Sequence, residues 1–345
     1  MEIIFMNKAF KATKLIAIKF FICLIILGSG SFMFCQISPW PEAMLIRLAF
    51  NKNGKKTAKA LQSFVPAGIA TISNLQYQKD DKDAYLDVYY PQSLIRIRKV
   101  LPTIMWIHGG GWVSGSKENV SNYCKILAAK GFTVVAINYS IAPEHTYPTP
   151  VIQANQALDY LINNNKNLHV DPDSIIIAGD SGGAHIAAQL ANIISEPSYA
   201  TEMKIFPSIT RAQLSGVILF CGAYDLNQVD FEGKYKGFLK TILWAYTGTE
   251  DFMNDPKIAP ASVYNYISPT FPPAFISVGN GDPLANQSHS LVRKLAQMNV
   301  KVDSLFYPKD YNPVLPHEYQ FNLKTDAGKE ALTKVSAFLS SRAKK

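Results

Sequence analysis

His108-Gly109-Gly110-Gly111-Trp112 follows the apolar stretch Thr103 to Ile107, and Gly179-Asp180-Ser181-Gly182-Gly183 follows a second, Ser174 to Ala178. Each run sets chemistry at the end of a strand. Three consecutive glycines let a backbone fold back with its N–H groups turned inward, because residues bearing a Cβ resist the positive φ such a turn needs. The product is a cradle for an anion. In G-x-S-x-G the flanking glycines relieve crowding at a sharp strand-to-helix turn and leave the serine Oγ exposed above the sheet. The helix-like stretch Ala184 to Ile194 completes that context and makes Ser181 the candidate nucleophile.

An oxyanion loop first and a nucleophile elbow second is the order of the α/β-hydrolase fold. Strand-like runs at 84–90, 103–107, 132–139, 174–179, 216–221, 274–279 and 302–307 alternate with helical stretches. That alternation predicts a mostly parallel central sheet with helices on both faces. Apolar residues make up 48% of the chain, ample for a large core. Residues 36–345 suit one α/β-hydrolase domain without internal repeats.

A serine hydroxyl is a weak nucleophile at neutral pH and needs a base, itself oriented by a third group. In this fold the chain order is Ser, then Asp or Glu, then His, which removes His108, His145 and His169. His185, four residues past Ser181 on the following helix, is expected beneath the elbow. His289 falls inside the helical stretch Leu284 to Met298 and reads as a surface or packing residue. His317 remains, in a loop with Pro313 and Pro316 between the strand-like run Val302 to Tyr307 and the last helix, Thr325 to Leu339. For the acid, Asp225 and Asp282 both follow apolar strand-like runs. Element order favours Asp282, in the turn Gly281-Asp282-Pro283-Leu284, where a carboxylate can accept the Nδ1 proton and fix the tautomer. Asp225 otherwise reads as a turn or capping residue, and Asp180 as a brace for the elbow.

HGGGW, the stretch Asn138-Tyr139-Ser140-Ile141-Ala142-Pro143-Glu144, GDSGG, the Asp282-Pro283-Leu284 turn and the late His317 follow one another in the order of a known group. From about Leu86 to the C-terminus the chain resembles hormone-sensitive-lipase-like esterases, the α/β-hydrolase fold-3 group. The resemblance implies an oxyanion hole built from the Gly109-Gly110-Gly111 loop, with the N–H groups of Gly110 and Gly111 joining that of Gly182. It implies a structural Glu144 that ties loops near the active site. It also implies a helical cap from the two stretches outside the alternation, residues 38–72 and 227–265, with Trp40, Phe50, Phe231, Tyr235, Phe238, Trp244 and Tyr246 as its apolar underside. Two departures stand out. The family more often has GDSAGG, so Gly182 replaces an alanine and Ala184 a glycine. Where the family has a small residue after the histidine, this chain has Glu318, a carboxylate expected to alter the acyl or alcohol pocket or to raise the pKa of His317.

The expected activity is serine carboxylesterase action on short acyl or aryl esters, with a small-molecule ester as substrate and no cofactor. Two alternatives stand beside it. A deacetylase or amidase for acetylated sugars or arylamides would use the same residues, and a non-catalytic binding protein would have no use for His317.

The formal net charge is +8. Lys8, Lys11, Lys14 and Lys19, offset by Glu2, place +3 of it in residues 1–35, leaving +5 spread without a basic run. A nucleic-acid partner is not expected. Residues 1–35, basic and then apolar from Phe20 to Leu27, resemble an export segment. The expectation is an extracytoplasmic enzyme, either released by cleavage near Gly28 to Ser31 or held at the membrane by residues 15–35. Cys35 lacks a preceding small residue, so a lipoprotein anchor is not expected. Cys124 and Cys221 lie in apolar contexts and read as buried thiols, and no CxxC or histidine cluster points to a metal.

Overall fold

Ile104 to Ile107, Ile175 to Ala178 and Val217 to Phe220 are consecutive apolar residues, and every one is fully buried. A strand apolar on both faces has to be covered on both. In the computed structural model, which describes residues 37–342 except residue 98, that cover is helical. The chain runs α1 (Trp40–Leu61), β1 (Ile69–Gln76), β2 (Tyr85–Pro91), β3 (Leu101–Ile107), α2 (Lys117–Ala128), β4 (Thr133–Ile137), α3 (Thr149–Asn163), β5 (Val170–Asp180), α4 (Gly182–Ser195), α5 (Pro197–Met203), β6 (Leu214–Phe220), α6 (Lys236–Thr247), β7 (Ala274–Val278), α7 (Ala285–Gln297), β8 (Val302–Phe306) and α8 (Asp326–Arg342).

The eight strands form one sheet in the order β1-β2-β4-β3-β5-β6-β7-β8. The β1–β2 and β2–β4 pairs are antiparallel and the other pairs are parallel. Alternate side chains along each strand enter separate cores. Met105, Ile107, Ile175 and Ile177 pack with residues of α3 and α4, while Ile104, Trp106, Ile176 and Ala178 pack with residues of α2 and α8. This is the α/β-hydrolase fold. One element departs from the sequence reading: β1 begins at Ile69, inside the stretch set aside as part of a cap. It is an edge strand with polar Thr71, Ser73 and Asn74, and an edge paired on one side needs no continuous apolar run.

The parallel register decides where the chemistry lies. Ile107 pairs with Gly179, Asp180 with Phe220, and Phe220 with Ser277, so the segments after β3, β5, β6 and β7 emerge on the same side of the sheet. Crevices beyond the carboxyl ends of parallel strands are where open α/β sheets bind ligands. Among the described residues no helix is long and apolar enough to cross a membrane. The export segment expected in residues 1–35 lies outside the described residues, as do Cys23 and Cys35. Cys124 and Cys221 are buried free thiols.

Candidate active site

β5 ends at Asp180 and α4 starts at Gly182, so Ser181 alone makes the turn between them, with φ 50° and ψ −121°. Positive φ is costly for a residue with a Cβ and persists only where the surroundings enforce it. Here Ser181 N–H donates to Phe220 O at 2.8 Å, and Ala184 and His185 N–H donate to Ser181 O. Close approach does the rest. A Cβ on Gly183 would collide with the carbonyl oxygens of Ile107 and His108, so only glycine lets the elbow lie against the end of β3. Gly182, which stands where the family more often has alanine, brings α4 near the glycine loop. A Cβ there would lie 3.1 Å from Trp112 N.

The glycine loop is fixed from below by two groups. Asp180 accepts from Trp106 Nε1 at 2.7 Å and from the Gly109 N–H at 2.8 Å. Tyr139 Oη donates to His108 O at 2.8 Å and stacks on the His108 ring, which burial holds near a pKa of about 4 and therefore neutral. Gly110 and Gly111 then turn through positive φ, 119° and 58°. One expectation is corrected: Gly109, grouped with the oxyanion donors, has its N–H committed to Asp180. The available loop donors are Gly110 and Gly111. Burial, and then the nearby Glu318 charge, push Asp180 well above the usual carboxylate range.

Asp282 follows β7, and His317 lies in the loop after β8. The Asp282 side chain is fully buried, and its Oδ2 accepts from His317 Nδ1 at 2.7 Å. Asp282 Oδ1 accepts the Leu284 N–H at 2.8 Å, which fixes the carboxylate's orientation. Burial works against a proton on His317, while Cys221 and Asp282 work for it. The balance holds His317 well above the ordinary imidazole value. Burial pushes the Cys221 thiol up to about 11. Cys221, Asp282 and His317 present donor atoms within 4.8 Å of one another. The 2.7 Å hydrogen bond already joins two of these three side chains.

The other candidates lie elsewhere. Asp225 caps a short turn, accepting from Asn227 N–H at 3.0 Å and from Gln228 Nε2 at 3.0 Å. His185 is buried beneath the elbow with Nε2 against Ala261 O at 2.8 Å, and His289 packs on the Phe306 ring. Glu144 receives the guanidinium of Arg47 at 2.7 and 2.5 Å, and the same guanidinium donates to Val113 O and Ala142 O. That cluster ties α1 to the glycine loop.

Ser181, His317, the glycine loop and Gly182 all line one cavity of about 470 Å³. Ala223, Val229, Phe238, Leu239, Ile242 and Leu243 give it an apolar wall, and Phe50 closes over it from α1, its ring 5.7 Å from that of Phe238. Of the seven aromatics assigned to a cap underside, Phe50, Tyr235 and Phe238 line the cavity. Tyr246 is buried against Trp112, Phe231 packs on Phe252, and Trp40 is exposed to solvent. Sequence patterning missed Asn53, Thr57 and Asn119, which supply polar lining. Isolated polar residues on helices carry no signal of which face they share with a cavity.

Residues 86–295 match the family model BD-FAE. Carboxylesterase NlhH of Mycobacterium tuberculosis is 29% identical over 254 residues, covering 72% of this chain and 75% of that protein. An alpha/beta hydrolase of Acanthamoeba polyphaga mimivirus is 26% identical over 213 residues, 60% of this chain and 59% of its own length. Among solved structures, esterase B of Lactobacillus rhamnosis superposes with a TM-score of 0.71 at 21% identity, covering 87% of this chain and 97% of that one. An esterase of Pyrobaculum calidifontis gives 0.68 at 23% identity, covering 87% and 93%. Those two likenesses bear on the fold. The family model spans more than half of the chain, and this protein therefore belongs to the BD-FAE family, among the hormone-sensitive-lipase-like α/β-hydrolases.

Proposed function

We propose that the chain is a serine carboxylesterase acting on short acyl or aryl esters through an acyl-enzyme. The supporting observation is that a strained elbow serine, a histidine hydrogen-bonded to a buried carboxylate and a positive-φ glycine loop border a single cavity. Ser181 Oγ attacks the ester carbonyl carbon and its proton passes to His317 Nε2. The tetrahedral oxyanion is received by the N–H groups of Gly110, Gly111 and Gly182, each such donor typically being worth two to three orders of magnitude in rate. The C–O bond to the alcohol breaks, and the alcohol leaves with the proton from Nε2. Water then repeats the sequence on the acyl-enzyme and releases the acid. Asp282 keeps the Nδ1 proton in place and stabilises the imidazolium. The carboxylesterase name of the Mycobacterium tuberculosis relative supports the same reading.

The decisive experiment is labelling with a serine-directed aryl phosphonate, followed by peptide mapping and aryl butanoate turnover. One equivalent should be found on Ser181, and Ser181→Ala should abolish labelling and hydrolysis together. Label on another residue, or turnover surviving in Ser181→Ala, would overturn the proposal.

A further inference from the structure

Glu318 directly follows His317 in the chain and adopts a left-handed backbone, φ 58°. This conformation is uncommon for a glutamate. It turns the side chain back over the site, so that Oε1 lies 3.9 Å from His317 Nε2 and would be 3.0 Å from a Cβ on Gly109, while the carboxylate also shares a hydrogen bond with the Asp180 carboxyl, which leaves further acceptor lone pairs for the cavity. Glu318 therefore faces the nitrogen opposite the one held by Asp282. It also lines the catalytic cavity.

Position decides which part of an ester meets it. On the reading that His317 is the general acid, Nε2 must deliver its proton to the leaving alcohol oxygen, so the alcohol passes beside Nε2. A carboxylate there accepts hydrogen bonds and donates none. An apolar alcohol would leave its oxygens facing carbon, which is unfavourable for a partly buried charge. The same cavity has polar lining besides Glu318. Asn53 and Thr57 lie one turn apart on α1, and Asn119 on α2 spends its Oδ1 on the Ser116 N–H. Its amide nitrogen is turned towards Gly54 at the cavity edge, 2.6 Å from where a Cβ would stand.

We propose that Glu318 is a specificity-determining residue for the alcohol half of the substrate, selecting esters whose alcohol carries a hydroxyl on the carbon next to the ester-bearing carbon. Such a vicinal hydroxyl donates to Glu318 Oε1 while His317 Nε2 addresses the ester oxygen, and further hydroxyls of a polyol reach Asn53, Thr57 and Asn119. This inference rests on the esterase reading above, and its test separates the two.

The test compares three butanoates on the full-length chain: the ethyl ester, the ethylene glycol monoester and the methoxyethyl ester, the last matching the glycol in size but lacking a donor. Hydrogen bonds to charged groups correspond to roughly tenfold to a hundredfold. kcat/KM for the glycol ester should exceed both others by at least about tenfold. The ratio of glycol to methoxyethyl should collapse towards unity in Glu318→Ala and fall partway in Glu318→Gln. Should Glu318→Ala fold poorly, Glu318→Gly tolerates the left-handed backbone and serves in its place, with far-UV circular dichroism and Tm reporting the fold. Equal rates for glycol and methoxyethyl esters, or a ratio that survives every Glu318 variant, would overturn the inference while leaving the esterase intact. Absence of turnover of any ester, with Ser181 unlabelled, would overturn both.

Discussion

Asp180 accepts the backbone N–H of Gly109 at 2.8 Å. The residue before the candidate nucleophile thus holds the first glycine of the HGGG loop and ties the elbow to that loop. The same carboxylate holds Trp106 Nε1, so a single side chain references both motifs to the end of β3.

Asp180→Ala should therefore lower kcat for an aryl ester by at least about tenfold, since displacement of even one oxyanion donor costs more than that. It should also lower Tm, because two buried N–H donors lose their acceptor at about 1–3 kcal/mol each. The pH dependence has a definite sign. A carboxyl whose folded pKa is raised favours the fold below the unfolded carboxylate range and loses that contribution as pH rises, and Asp180 is raised by burial and by Glu318. Compared with Asp180→Asn, the native chain should lose stability as pH climbs above that range. A kcat within twofold of native in Asp180→Ala would show that the loop keeps its shape unaided.

Asp282→Asn and Asp225→Asn separate the two acids. Asp282 holds His317 Nδ1 at 2.7 Å, so its amide should leave the fold intact and reduce kcat on the order of 10⁴-fold through the wrong tautomer. Because His317 is held above the ordinary imidazole value, the acidic limb of kcat/KM should lie above the usual histidine range. Losing the anion should move that limb to lower pH. Asp225→Asn should reduce Tm through its cap, with kcat near native. A catalytic collapse in Asp225→Asn would reverse the assignment.

Arg47→Lys tests whether α1 is part of the binding site. The guanidinium reaches Glu144 twice and two carbonyls besides, and an ammonium cannot reproduce that fork. Phe50, Asn53 and Thr57 ride on the same helix along the cavity wall, so KM for aryl esters should rise severalfold with kcat little changed. Equal effects on KM and kcat would place the helix in the chemistry and not in binding.

The legible parts of this chain were those where one residue type answers one physical demand. Gly110 and Gly111 sit at positive φ and Gly183 at a contact no Cβ survives, and the continuous apolar runs of β3, β5 and β6 permit little besides a doubly covered strand. The pairing of His317 with Asp282 followed from the order of elements, and their hydrogen bond is a distance that order alone does not carry. What stayed hidden depends on three-dimensional neighbours. The bond that commits the Gly109 N–H joins it to Asp180, 71 residues away, and no local pattern carries it. Trp40 and Phe50 read alike as cap aromatics, yet ten residues along one helix put the first in solvent and the second over the cavity. Cys221 gave no sign of lying against the His317–Asp282 pair, because a buried strand-end cysteine usually serves as packing.

On the esterase reading, the apolar wall of the cavity sets the last prediction. A cavity of about 470 Å³ closed by Phe50 and Phe238 falls in the range of small-molecule pockets. Each added acyl methylene contributes about 0.8 kcal/mol while it finds apolar surface, roughly a fourfold gain in kcat/KM per carbon. The gain should stop where the chain meets Phe238 and Ile242, so kcat/KM for aryl esters should climb over the first few carbons and then fall. Phe238→Ala removes the far ring and should move the maximum to longer acyl chains, with kcat for the acetate ester close to native. Measuring kcat/KM for aryl esters from two to sixteen acyl carbons on both proteins decides the matter. A native maximum at the long end, unmoved in Phe238→Ala, would mean that the acyl chain leaves the site by another route and that the enzyme is a lipase of long chains.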